Sequence, residues 1–132
     1  MRHPILTTLT TLTTLTTLAA LLLALGLSGA ANAGPFDDAL AAAKRGDYAT
    51  AFRLYRPLAD QGNASAQVNL GLMYAKGEGV PEDNVQAHKW FNLAGAGGDE
   101  DGRKNRDIVA KVMTPAQIAE AQRLASEWKP KQ

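Results

Sequence analysis

From Phe36 to Trp128 the apolar residues recur at three- and four-residue steps, and no run of alternating β-branched residues breaks the pattern. That spacing predicts helices and argues against a sheet. Six helices in three hairpins are predicted. Helix 1 covers about Phe36–Arg45 and stops at Gly46, a left-handed cap. Helix 2 covers about Tyr48–Gln61 with Asp47 as N-cap, and Ala51, Phe52, Tyr55, Leu58 and Ala59 share one face. Pro57 lies inside helix 2 and has no N–H to donate, which predicts a bend rather than a stop. Helix 3 covers about Ala64–Lys76 and is closed by Gly77. Helix 4 covers about Asn84–Ala96, with Asp83 as N-cap and Gln86 three residues on. Helix 5 covers about Glu100–Met113, with Ile108, Val109 and Val112 as its apolar stripe. Thr114-Pro115-Ala116-Gln117 supplies a cap, a proline at the first helical position and a glutamine that reaches back. Helix 6 then runs to about Trp128, burying Ile118, Ala121, Leu124, Ala125 and Trp128, and Lys129–Gln132 forms a polar tail.

The pattern repeats. Ala51 and Ala87, Gly62 and Gly98, and Asn69 and Asn105 are each separated by 36 residues. A period of this size indicates a helical repeat array. The clearest unit is Ala64–Gly98. Two helices approach closely only where side chains are small, so Ala66, Gly71 and Ala75 are expected to face Ala87, Ala94 and Gly95. Leu70, Tyr74, Trp90 and Phe91 fill the remaining volume, with Tyr74 and Trp90 placed for ring stacking across the loop. Gly77 and Gly79 supply positive φ angles, and Val80 is an apolar plug that tucks the loop against the hairpin.

Leu70-Gly71-x-x-Tyr74, Gly77-x-Gly79-Val80-x-x-Asp83, Ala87-x-x-Trp90-Phe91 with Ala94, and Gly98 together resemble a Sel1-like repeat, a relative of the tetratricopeptide repeat. The resemblance implies an all-α fold, a short α/α superhelix of about three hairpins. It is close over Ala64–Gly98 and weaker on the flanks. Gly46-Asp47 makes a tight turn with no Gly-x-Gly-Val loop, like an ordinary tetratricopeptide hairpin, and Gly102 stands where the family favours alanine. The last hairpin departs from the pattern and reads as a cap. In such stacks the first helix of each hairpin lines the inner surface. The resemblance therefore implies a peptide groove formed by Ser65, Val68, Leu72 and Lys76 on helix 3 and Asp101, Lys104, Ile108 and Lys111 on helix 5. The alternative is that Leu72 and Ile108 pack between neighbouring hairpins.

The N-terminus changes the picture of where this array works. A basic start at Met1-Arg2-His3, an apolar block at Leu18–Leu27 and the small-x-small pattern Ala31-Asn32-Ala33 describe a secretory signal peptide over residues 1–33. The apolar block is shorter than the roughly 20 residues a membrane span needs. The helical domain is then 34–132. With Arg2 removed, acidic and basic side chains balance, and no basic stripe offers a phosphate track, which argues against nucleic acid. There is no cysteine, so disulfides, thiolate metal sites and cysteine nucleophiles are excluded.

Candidate chemistry is sparse. His88 is expected on an exposed helix position, and neither Ser65 nor Ser126 sits in a glycine elbow that would make it a nucleophile. Asp99-Glu100-Asp101 complements a helix dipole more simply than it binds calcium. Gly95–Gly98 follows no strand and precedes no Gly-Lys-Ser/Thr, so it is a helix end and not a phosphate loop. No catalytic residue, metal or cofactor is expected. These features lead to an exported, non-enzymatic adaptor of a bacterial periplasm, with a protein or peptide partner. Two alternatives are an enzyme, or its accessory subunit, acting on cell-wall glycans, and a structural role through end-to-end dimers.

Overall fold

The structure, a computed structural model, describes residues 33–132. The segment 1–33 read as a signal peptide therefore lies, but for Ala33, outside the described residues. Six helices make up the unit Gly34–Gln132: α1 (Pro35–Lys44), α2 (Tyr48–Asp60), α3 (Ala64–Lys76), α4 (Asn84–Ala96), α5 (Glu100–Ala110) and α6 (Pro115–Glu127). Among the described residues there is no strand.

Local chemistry explains where these helices start. The Asp47 carboxylate accepts from Thr50 N–H at 3.2 Å, Asn63 Oδ1 from Ala66 N–H at 2.9 Å, Asp83 from Gln86 N–H at 3.0 Å and Asp99 from Gly102 N–H at 3.0 Å. Each satisfies a backbone donor that the first helical turn leaves free. Asp47 and Asp83, and likewise Asn63 and Asp99, stand one 36-residue period apart, so the caps share the repeat of the core. At α6 the expected reciprocal box forms: Gln117 N–H donates to Thr114 Oγ1 at 3.2 Å, and Thr114 N–H donates to Gln117 Oε1 at 2.9 Å.

Consecutive helices from α1 to α5 pack side by side, while α3 also touches α5 and α4 also touches α6, as in a two-layer stack. The largest fully buried side chains are Trp90, Tyr55, Phe91 and Leu70. In the α3–α4 hairpin the small residues pair differently from expectation. A Cβ on Gly71 would lie 2.6 Å from Phe91 Cε1, so Gly71 seats an aromatic ring and not another small residue. Gly95 belongs to the α4–α5 seam, where its Cβ would stand 2.8 Å from Arg103 Cγ. Tyr74 and Trp90 do not stack on each other. Tyr74 meets Phe52 edge-on at 5.6 Å and Trp90 meets Trp128 edge-on at 6.5 Å, which satisfies the ring quadrupoles better than a sandwich.

The α3–α4 loop is as expected. Gly77 and Gly79 have φ of 69° and 71°, and Val80 is half-buried against the core. Gly79 has a second constraint besides its backbone angle. A Cβ there would meet the backbone of Tyr48, at 2.6 Å from the carbonyl carbon, so the loop of this repeat lies directly on the start of α2.

The C-terminal region departs most. α5 ends at Ala110, not Met113, and of its expected apolar stripe only Val109 is buried; Ile108 is 60% and Val112 73% exposed. The reason is that α6 packs chiefly on α4 and makes little contact with α5. Trp128 sits just past the end of α6 and is half-buried against Trp90. The polar tail is docked: Lys131 N–H donates to the Asp60 carbonyl at 2.8 Å, and Trp128 and Pro130 lie over Gly62.

Candidate binding surface

The residues assigned to a groove lie on α3 and α5, helices that touch one another, except Lys111, which caps the end of α5. Ser65, Lys76, Asp101, Lys104, Ile108 and Lys111 are exposed, and Leu72 is half-buried against the core. Val68 is the exception, only 9% exposed, so it supports this face from beneath. The result is an open surface with apolar side chains at Leu72 and Ile108, one period apart, beside the charged Lys76, Asp101, Lys104 and Lys111. Among the described residues no enclosed pocket is present, and no group of three or more His, Asp or Glu side chains converges on a metal position. A surface of this kind suits an extended polymer better than a small molecule, which needs a concave site to bury most of its area.

The close approach of α5 to α4 rests on Gly102. An alanine Cβ there would lie 2.8 Å from Ala94 Cβ and 2.8 Å from Gly95 N. The departure from alanine at this position thus lets two backbones come together. It also brings Arg106 to α4, where its Nη1 donates to Asn92 Oδ1 at 3.3 Å.

His88 lies at this same interface and is not exposed as the sequence suggested: it is 3% accessible, and its Nδ1 has no hydrogen-bond partner among the described residues. Burial holds the imidazole below its ordinary pKa, Arg106 adds to this, and Asp107 opposes it. The period held a signal for this burial. Phe52, 36 residues earlier, occupies the equivalent position as a half-buried apolar side chain. His88 fills volume in α4 as Phe52 does in α2.

The succession of antiparallel helices with a repeated capping and glycine pattern defines an α/α repeat protein of the solenoid class. The sequence model of the Sel1 repeat matches residues 40–63 and 64–99, so this part of the chain carries two Sel1 repeats in tandem. The first repeat is the one whose tight Gly46-Asp47 turn resembled an ordinary tetratricopeptide hairpin; it is a Sel1 repeat with a shortened loop. Among solved structures, the chain is similar to c5321, described as a protective antigen present in uropathogenic Escherichia coli strains and displaying an SLR fold, with 33% identity and a TM-score of 0.67. The match covers 75% of this chain but only 23% of c5321, so this chain spans less than a quarter of that protein's length. No curated protein sequence matches significantly. Repeats of this kind serve in general as protein-interaction scaffolds. No helix among the described residues is long and apolar enough to cross a membrane.

Proposed function

We propose that this protein is an exported, non-enzymatic adaptor that holds an extended segment of a partner protein on the α3–α5 face. The observation that carries the reading is the pairing of Leu72 and Ile108. They are equivalent positions on adjacent first helices, and Ile108 stays 60% exposed although it is a large aliphatic side chain. Lys76, Lys104 and Lys111 flank them and favour a segment that also carries carboxylates. The basic start, short apolar block and Ala-x-Ala pattern of residues 1–33 support export to a bacterial periplasm. The mechanism is preorganisation. Packed helices present the face already ordered, so binding costs little backbone entropy on this side.

The test is capture of partners from a periplasmic extract by the protein, by Leu72→Glu and by Ile108→Glu. Both substitutions are on side chains that reach solvent, so the helical circular dichroism should persist while capture falls. Variants that fold and recover the same partners overturn the assignment.

A further inference from the structure

A second surface, formed by α2, α4 and the C-terminal tail, carries a charge imbalance that the fold leaves uncompensated. Asp60, at the end of α2, has a side chain only 13% exposed and is fully used. Both its oxygens accept from Arg56 Nε at 3.3 Å, and Oδ2 also accepts from Lys131 Nζ at 3.3 Å. Lys89 on α4 stands beside this group. Its ammonium lies 4.2 Å from the centre of the Trp90 ring, and the Arg56 guanidinium lies 5.7 Å from the same ring. Among the described residues no carboxylate comes within salt-bridge reach of Lys89. Three cations therefore cluster around one carboxylate that only Arg56 and Lys131 reach. Lys89 is half-buried, and burial holds its ammonium below the ordinary lysine pKa; Arg56 and Lys131 push the same way and Asp60 opposes them.

Trp90 stabilises Lys89 through its π-face but carries no charge to neutralise it. The imbalance is local, because charges over Gly34–Gln132 cancel. Trp128, half-buried, and Pro130, exposed, border the cations and offer flat apolar surface. Arginine and aromatic side chains around a positive centre are the composition of an energetic contact between proteins. The surface is open, so a single small anion would keep most of its water. A flexible chain with several carboxylates would reach Arg56, Lys89 and Lys131 together.

We infer that the Arg56–Lys89–Lys131 surface docks an acidic segment of a partner protein, with one Asp or Glu carboxylate on Lys89. This surface lies on other helices than the α3–α5 face and does not depend on it. The test titrates the full chain with hexaglutamate at low salt, followed by tryptophan fluorescence. The chain has only two tryptophans, Trp90 and Trp128, and both adjoin the surface. Saturable binding is expected, weakening as salt rises. Lys89→Gln should weaken it about tenfold or more, with a melting temperature unchanged or raised, since a repelled cation is removed. Leu72→Glu and Ile108→Glu should leave the titration unchanged, so failure here is separable from failure of the α3–α5 reading. The inference is overturned if hexaglutamate does not bind, if inorganic phosphate binds as tightly, or if Lys89→Gln lowers the melting temperature and leaves affinity intact. That last outcome would make Lys89 a brace for the Trp90 ring.

Discussion

The pair α3–α4 and the pair α5–α6 follow the same succession of cap, helix, turn and helix, yet only the first closes as a hairpin. In α3–α4, Gly71 makes a seat for Phe91, and the Gly77–Asp83 loop is long enough to fold back onto α2. In α5–α6 the glycine, Gly102, faces the other way and draws α5 onto α4. α6 then finds its large partner in Trp90, through Trp128, and lies on α4 too. In α3–α4 closure thus goes with a glycine on the first helix that receives a ring from the second, whereas α1–α2 closes over the small residues Ala39 and Ala42 without a glycine. Where the glycine turns to the preceding repeat, the second helix is free to cap the stack. The cost is an uncovered end of α5 at Ile108, with Val112 just beyond the helix also in solvent.

The largest expected effect comes from the element both regions share. Trp90→Ala empties the fully buried centre of α4 and removes the platform for Trp128, so it should cost about 3–5 kcal/mol in thermal or urea unfolding. Next come the two glycines. Gly71→Ala and Gly102→Ala each force a Cβ into space already filled, and each should cost about 1–3 kcal/mol by the same measurement. A stabilised Gly102→Ala chain, as family preference alone would suggest, would break the comparison.

His88 makes the α4–α5 seam sensitive to acid. Its folded pKa is lowered, so below the ordinary histidine value of about 6.5 the unfolded chain binds more protons than the folded one. Stability from this group is complete above that pH and declines as pH falls beneath it. A melting-temperature series from pH 7.5 to 5 should show the decline, and His88→Phe, which copies Phe52, should flatten it. The smallest effect is expected at the open end: Val112→Ser should change stability by less than about 0.5 kcal/mol, because the side chain is already in water.

Much of the fold was legible because helix ends are written in local chemistry. Asp47, Asp83 and Thr114 announced three helix starts, and Gly46 and Gly77 two ends. Asn63 and Asp99, one period apart, were both missed as caps, the second being read only as part of an acidic cluster on the helix dipole. What periodicity could not supply was the partner of each buried face. The apolar side of α6 indicates burial but fits α4 as well as α5, and Val112, read as part of the apolar stripe with Val109, stays in solvent because α6 crosses away from it. His88 was misplaced because an ionisable side chain suggests solvent, whereas its register with Phe52 pointed inward. Of the α3–α5 face, the exposed positions were readable from the repeat, but the burial of Val68 depended on packing. The Lys89 surface left no trace in the pattern, since it needs the tail to return to α2 across 71 residues of sequence.

The most direct test is a double-mutant cycle between Trp90 and Trp128. If α6 is held by α4 through these rings, Trp90→Phe and Trp128→Ala should couple by about 0.5–1.5 kcal/mol in unfolding free energy. Strict additivity, together with a strong coupling of Trp128→Ala to substitutions at Ile108, would put α6 back on α5 and contradict the account.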